Sequence, residues 1–416
     1  MDLMEAKALA SSLAVPLDVE WVVLEQSPGR VLARSLVSPA DLPAQNRSRM
    51  DGYALRSLDA AEASVLQSRG LRLLPGSSAA GADPPGPLAA GECRRIFTGA
   101  PLPPGADAVA PQERVERSGD RVLVVEKLDP GQWVSQAGEE VRKGEEVLRA
   151  GDLLTPTRTA LAAATEATHL PVHRRPRVAL LATGDELREA GCAGDGPLSV
   201  CNNRHLLSWL VRWNGGAPFS LGIAPDDPAV LEERLRGVGA DLAITTGGTG
   251  RGDRDFMEEV WNSLGVEVLF SSLNLSPGKG SRLGVVGHGK HRSSFFAALS
   301  GNPWAAQVVF QEILAPLLWR WQGAVRLSPL EIPAVLAEPL RKRKGRYQAV
   351  RGRLEKDGRG FRFIPQPRER SFSFSVLRDH FAYAILDSET EALDAGAPLS
   401  VRSNDLPWTA LGPLAG

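Results

Sequence analysis

Between Arg177 and Trp321 the chain alternates short apolar runs with stretches of helical periodicity, and this rhythm constrains its fold more than any other feature. Arg177-Val-Ala-Leu-Leu-Ala182 reads as a strand buried on both faces. A helix over 203–213 follows, stopped by Gly215-Gly216. A strand near 219–223 leads to a helix opened by Asp227-Pro228, with proline in its first turn. Asp241-Leu-Ala-Ile-Thr-Thr246 is the third strand, and Asp255-Phe-Met-Glu-Glu-Val260 opens the third helix. Ser294-Phe-Phe-Ala-Ala-Leu299 then passes through Ser300-Gly-Asn-Pro303 into a long apolar helix ending near Trp321. Strands alternating with helices predict a doubly wound parallel α/β sheet.

The flanks have a different texture. At 416 residues the chain is too long for one ordinary core, and its 42 glycines and 31 prolines imply many tight turns. Residues 3–35 carry helical periodicity and then a short β run, Trp21-Val-Val-Leu24. Residues 51–135 read as strands and turns, with Gly70-Leu-Arg-Leu-Leu74 and Arg121-Val-Leu-Val-Val125 as examples. A helical stretch covers 156–168, and short strands return from Leu327 onward. We expect a β-rich region before the α/β domain and a small β-barrel-like domain after it.

Composition removes several function classes. No uncharged apolar stretch reaches the roughly 18–20 residues that span a bilayer, and the N-terminus lacks an apolar signal core. No membrane partner is therefore expected, and because Cys93, Cys192 and Cys201 form no CxxC pair, a reducing cytoplasm is expected. A formal net charge of −1 argues against a nucleic-acid partner. Residues 341–378 nevertheless hold 13 Lys or Arg against three Asp or Glu. Three readings of that segment stay open: a solvated β surface, a basic wall facing an anionic ligand, or an RNA contact.

Three loops leave the C-terminal ends of the expected strands, at 183–187, 246–255 and 300–303, and in open α/β sheets that edge binds ligands. Thr246-Gly-Gly-Thr-Gly-Arg-Gly-Asp253 has four glycines, which let backbone N–H groups approach a phosphate. The same edge collects Asp185, Glu186, Asp253 and Asp255, with Asp226-Asp227 nearby. Together they offer oxygen ligands to a hard cation, and Mg²⁺ is the natural one; singly, each also suits a helix N-cap. The six histidines are scattered, which argues against zinc. Lys279, in Ser276-Pro-Gly-Lys279, offers a point charge to an oxyanion or is an ordinary turn lysine.

Beyond these loops, further motifs occur in a fixed order. They are Ser48-Arg-Met-Asp-Gly-Tyr-Ala54, Ile96-Phe-Thr-Gly-Ala-Pro-Leu-Pro-Pro-Gly-Ala-Asp-Ala-Val109 with Glu113, Gly138-Glu-Glu-Val141 and Ala182-Thr-Gly-Asp-Glu-Leu187. The 246–256 loop, the Lys279 turn, Gly301-Asn-Pro303 and Gly345-Arg-Tyr-Gln-Ala-Val-Arg351 complete the set. In this set and order the chain resembles the molybdopterin molybdenumtransferase family, of the MoeA and gephyrin E-domain type, over nearly its whole length.

The resemblance implies four domains: 1–40 with 138–172, 41–137, an α/β molybdopterin-binding domain at 173–323, and 324–416. It implies a homodimer with a shared site, and a molybdopterin adenylyltransferase acting upstream. The implied reaction inserts molybdate into adenylylated molybdopterin (molybdopterin-AMP) and releases AMP with Mg²⁺. Asp51, Thr98, Glu186, Asp227, Asp255 and Lys279 match catalytic positions, and Glu186 and Asp255 match the metal positions. Gly247, Gly248, Thr249, Gly250, Asp253, Gly301, Asn302, Pro303 and Arg351 match substrate-binding positions. The chain departs from the family pattern at Ser276, Gly280, Ser300 and Ala305, among other positions. A carrier that binds the pterin without turnover, and the adenylyltransferase reaction itself, are the alternatives.

Overall fold

The structure is a computed structural model. It describes residues 1–64, 67–192, 198–248, 256–287, 293–325, 327, 329–358, 360–366 and 382–403. The described helices are α1 (Leu3–Ser12), α2 (Pro156–Ala164), α3 (Asn203–Trp213), α4 (Pro228–Leu235), α5 (Met257–Ser263), α6 (Pro303–Val309) and α7 (Ala315–Trp321). The chain forms two compact units: Met1–Arg34 with Ala150–Thr155 and His169–Gly416, and Ser35–Arg149 with Pro156–Thr168.

The first unit contains the α/β sheet expected from the alternating pattern. Its strand order is Ala217–Ala224, Arg177–Thr183, Leu242–Thr246, Ser293–Leu299, Arg282–Gly287 and Glu267–Phe270. The first four run parallel, and the last two are antiparallel to their neighbours. Because successive strand residues face opposite ways, each central strand serves two cores. Val178, Leu180, Leu242, Ile244, Phe295 and Ala297 pack with residues of α1, α3, α6 and α7. Ala179, Leu181, Ala243, Phe296 and Ala298 pack with residues of α4 and α5. Burial on both faces explains why these strands are continuous apolar runs.

The long helix expected after Pro303 is interrupted. Residues Phe310–Leu314 form a π segment in which the Ala315 amide donates to the Phe310 carbonyl, five residues back. Pro316 lacks the amide hydrogen that would close an α-helical bond to residue 312, so the helix widens before it. Beyond α7, strands Tyr347–Asp357, Gly360–Pro365, Glu331–Leu336, Pro398–Ser403 and Ala382–Leu386 pair in that order, and the last pairs with the first. The result is a closed five-stranded barrel around Leu336, Val350, Phe363, Ala384 and Val401.

The second unit is built on a six-stranded sheet ordered Ala108–Pro111, Gly52–Leu55, Glu92–Ile96, Arg69–Ser78, Arg121–Val124 and Val115–Ser118. Gly52 is required where it stands, since a Cβ there would lie 2.0 Å from the Ala110 carbonyl oxygen of the adjacent strand. Tyr53, Leu55, Leu71, Cys93 and Val122 fill the core on one side. Burial pushes the Cys93 thiol up to about 12, which makes it a packing residue rather than a nucleophile.

Candidate functional site

Three loops meet at the C-terminal edge of the α/β sheet. Strand register brings Ala182 beside Thr246 and Thr246 beside Leu299, so the loops leave at one level. The Gly247 amide donates to the Leu299 carbonyl at 3.1 Å. Gly247 has φ +102°, and a Cβ there would lie 2.4 Å from the Thr183 carbonyl oxygen. Only glycine lets this loop cross the end of the neighbouring strand. The Thr183 hydroxyl is buried beneath the crossing with no hydrogen-bond partner among the described residues.

Opposite lies the Lys279 turn. Gly278, at φ +126°, packs so closely on α6 that a Cβ would meet Val309 Cγ2 at 2.7 Å. The Lys279 carbonyl accepts from the Leu273 amide at 3.0 Å and from the Ser272 hydroxyl at 3.1 Å. The backbone of the turn is thereby pinned while the Lys279 side chain is exposed, and no described residue pairs with its ammonium group. The third wall is the start of α6. Asn302 Oδ1 caps it by accepting from the Trp304 amide at 2.9 Å and the Ala305 amide at 3.4 Å, with Pro303 in the first turn. The Asn203 side-chain amide donates to the Gly301 carbonyl at 2.8 Å and ties α3 to this loop. Gly247, Gly248, Lys279, Gly301, Asn302 and Ala305 line one cavity of about 380 Å³.

The remaining expected residues fall in several places. Glu186 is exposed, and its carboxylate folds back over Gly184, where a Cβ would lie 2.6 Å from its Oε2. Asp185 Oδ1 accepts from the Asp226 amide at 3.2 Å. Asp227 caps α4, accepting from the Ala229 amide at 2.8 Å, so one of its roles is structural. Arg351 is only 5% exposed and lies over the Trp304 ring, 5.1 Å from its centre. Other cations of the basic segment, Arg341, Arg343, Lys344, Arg346, Arg353 and Arg362, are exposed, as a solvated surface requires. Thr249, Gly250, Asp253 and Asp255 lie outside the described residues.

Asp51 and Thr98 belong to the second unit. Asp51 Oδ1 accepts from both the Thr98 amide and the Thr98 hydroxyl, each at 2.8 Å. The amide bond first, then the hydroxyl, hold the Asp51 carboxyl below the usual carboxylate range, with a smaller pull from Arg95. Sequence reasoning missed Arg95. Its guanidinium stands 5.2 Å from the Tyr53 ring centre and 5.1 Å from that of Phe97, and it donates to Gln112. Two rings at positions 53 and 97 flanking an arginine within these motifs were the available signal.

Residues 1–165 match the family described as MoeA N-terminal region (domain I and II), and residues 179–320 match the probable molybdopterin binding domain. The chain is 33% identical to the molybdopterin molybdenumtransferase of Synechococcus elongatus, over 95% of this chain and 97% of that one. It is 31% identical to the Bacillus subtilis protein of the same name, over 95% and 93% of the two chains. The crystal structure of a molybdopterin biosynthesis MoeA protein from Pyrococcus horikoshii superposes with a TM-score of 0.83 at 28% identity, covering 97% of this chain and 99% of that one. With both family regions matched and this identity sustained along nearly the whole length, the chain belongs to the molybdopterin molybdenumtransferase family.

Proposed function

We propose that this protein inserts molybdenum into adenylylated molybdopterin, releasing AMP, as a step in molybdenum cofactor biosynthesis. The observation that carries the reading is the convergence of Gly247, Lys279 and Asn302 on one cavity at the ligand-binding edge of the sheet. The glycine crossing clears room for a phosphate group, and the Lys279 ammonium, unpaired among the described residues, offers charge to an oxyanion. No described residue of the cavity lining resembles an activated nucleophile, and the chain's contribution in this reading is binding, orientation and charge.

Mg²⁺ assists this reading. Among the described residues no three His, Cys, Asp or Glu side chains converge into a cage. A cage is not required, because Mg²⁺ takes one or two carboxylates together with substrate phosphates and water. Exposed Glu186, on the loop after strand Arg177–Thr183, fits as one such ligand, and the family resemblance supplies Asp255 as the second. The ion would neutralise charge on the phosphoanhydride as AMP leaves.

The protein acts as a homodimer in the cytoplasm, on substrate delivered by a molybdopterin adenylyltransferase. Unpaired Cys93, Cys192 and Cys201 support the compartment. Exposed apolar side chains support self-association: Val19, Trp21 and Val23 on one strand, and Trp209 and Trp213 one turn apart on α3. Ala305, which brings no hydroxyl to the cavity wall, favours a second reading as a carrier that holds the pterin without turnover. Incubation with adenylylated molybdopterin, molybdate and Mg²⁺ separates the two. Equimolar AMP and metallated cofactor are expected; tight binding with no AMP would establish the carrier.

A further inference from the structure

Arg351 and Tyr383 stand opposite each other on adjacent barrel strands, and Tyr383 stands opposite Arg402 on the next. Their chain neighbours Val350, Ala384 and Val401 fill the barrel core, so this row points outward. It meets the first turn of α6. The Trp304 indole, 2% exposed, packs edge to face with the Tyr383 ring, the centres 5.7 Å apart and the planes at 77°. The Arg351 guanidinium lies over the same indole, 5.1 Å from its centre. Trp304 Nε1 is buried with no hydrogen-bond partner among the described residues. A buried donor left unsatisfied is destabilising, so the position makes use of the indole's ring surface and not of its N–H group.

We propose that Trp304 is a positioning residue for the substrate cavity: clasped by Arg351 and Tyr383, its indole fixes where the first turn of α6 presents Asn302 and Ala305. The inference rests on the reading of that cavity as the adenylylated molybdopterin site, and adds to it a residue that does not line the cavity. Trp304 sits between the two wall residues in the chain, and its amide donates to the Asn302 cap. The cap bonds shape the turn but do not place it against the barrel. A large side chain locked between two barrel residues does, because close-packed groups transmit displacement to their neighbours. The Tyr383 hydroxyl, bound to Glu312, anchors the clasp in turn. Moving a binding wall by about 1 Å can cost on the order of a hundredfold in rate, so the clasp bears on substrate affinity as well as on stability.

Calorimetric titration of the full-length protein with adenylylated molybdopterin, in the absence of molybdate, tests this when thermal midpoints and AMP-release kinetics are measured beside it. Trp304→Leu removes the ring. It should weaken binding and raise KM about tenfold, with kcat changed less than about threefold. Trp304→Phe restores a ring and should bring affinity back to within about threefold of wild type. Tyr383→Phe deletes the hydroxyl bond to Glu312 but keeps the ring, so it should lower the midpoint and leave affinity within about twofold. Should Trp304→Leu fail to fold, Tyr383→Leu, which strips only the edge contact, should weaken binding in the same way. Wild-type affinity in the leucine variants would overturn the role. So would affinity losses that follow the midpoint in every variant, Tyr383→Phe included. If Trp304→Leu binds and releases AMP as the wild type does, the positioning role falls and the transferase reading stands. If affinity follows the clasp but no AMP is ever released, the transferase reading falls instead.

Discussion

The Tyr383 hydroxyl donates to Glu312 Oε1 at 2.7 Å, at a point where the Glu312 side chain has no solvent exposure. Arg402 donates to both oxygens of the same carboxylate at 2.6 Å, and Lys7 of α1 pairs with it as well. Tyr383 in turn meets Trp304 edge to face, with ring centres 5.7 Å apart. Trp304 lies in α6 between capping Asn302 and cavity-lining Ala305 in sequence, and Arg351 lies over its ring. A buried charge cluster thus reaches, through Tyr383, the helix that carries cavity-lining Ala305.

Glu312→Ala should therefore lower stability by about 3–5 kcal/mol, because it removes the buried carboxylate of Lys7 and leaves Arg402 with Glu331 alone. Burial opposes ionisation of Glu312, but attraction to Lys7 and Arg402 outweighs it and brings the carboxyl to about 2. Its folded value lies below the ordinary one. The stabilisation is accordingly full above about pH 4.5, the ordinary glutamate range, and is lost as pH falls toward 2. Urea unfolding across that window should show a stability loss in the wild type that is smaller in Glu312→Gln.

Thr98→Val removes the hydroxyl bond to Asp51 but leaves the amide bond. The Asp51 carboxyl should rise toward its ordinary value, and activity should fall with little change in stability, since this carboxylate is at the surface. Carboxyl titration by NMR reads the shift directly. An Asp51 carboxyl that titrates identically in both proteins would remove the hydroxyl from the account.

The proposed homodimer with a shared site makes a further demand. Asp51→Ala and Lys279→Ala homodimers should each be inactive, and mixing them in equal amounts after subunit exchange should restore about a quarter of wild-type activity. That proportion assumes random pairing and one intact site per heterodimer. Mixed dimers that stay inactive would show that each site draws both residues from one chain.

Gly247→Ala should separate binding from folding. The new Cβ meets the Thr183 carbonyl in a left-handed backbone conformation, a strain of about 1–3 kcal/mol. Its thermal midpoint should drop modestly, and affinity for adenylylated molybdopterin should fall more than tenfold. Gly287→Ala, on strand Arg282–Gly287 and outside the cavity lining, where a Cβ meets nothing within 4 Å, is the matched control.

The α/β sheet was legible because strands buried on both faces must be apolar without interruption, and Val178 to Leu181 are. The ligand edge followed from it, and the loops at 183, 247 and 301 do converge. Asp227 was legible as a helix cap from Asp-Pro, which the geometry shows; the family resemblance also matches it to a catalytic position. Glu312 was not legible, since a single glutamate in an apolar helix gives no hint of partners 305 and 90 residues away. Arg351 was marked by the family motif, but its burial was not legible, for a related reason. Within a basic segment its charge looks like its neighbours', and only barrel closure and the position of Trp304 single it out.

Metal insertion by the full-length protein tests the central claim most directly. Wild type and Lys279→Ala would each receive adenylylated molybdopterin, Mg²⁺ and molybdate, with AMP and molybdenum cofactor measured together. The account predicts equimolar AMP and cofactor from the wild type, and a rate roughly ten- to hundredfold lower at limiting molybdate when the ammonium is removed. Wild-type rates from Lys279→Ala, or a wild type that yields neither product, would contradict it.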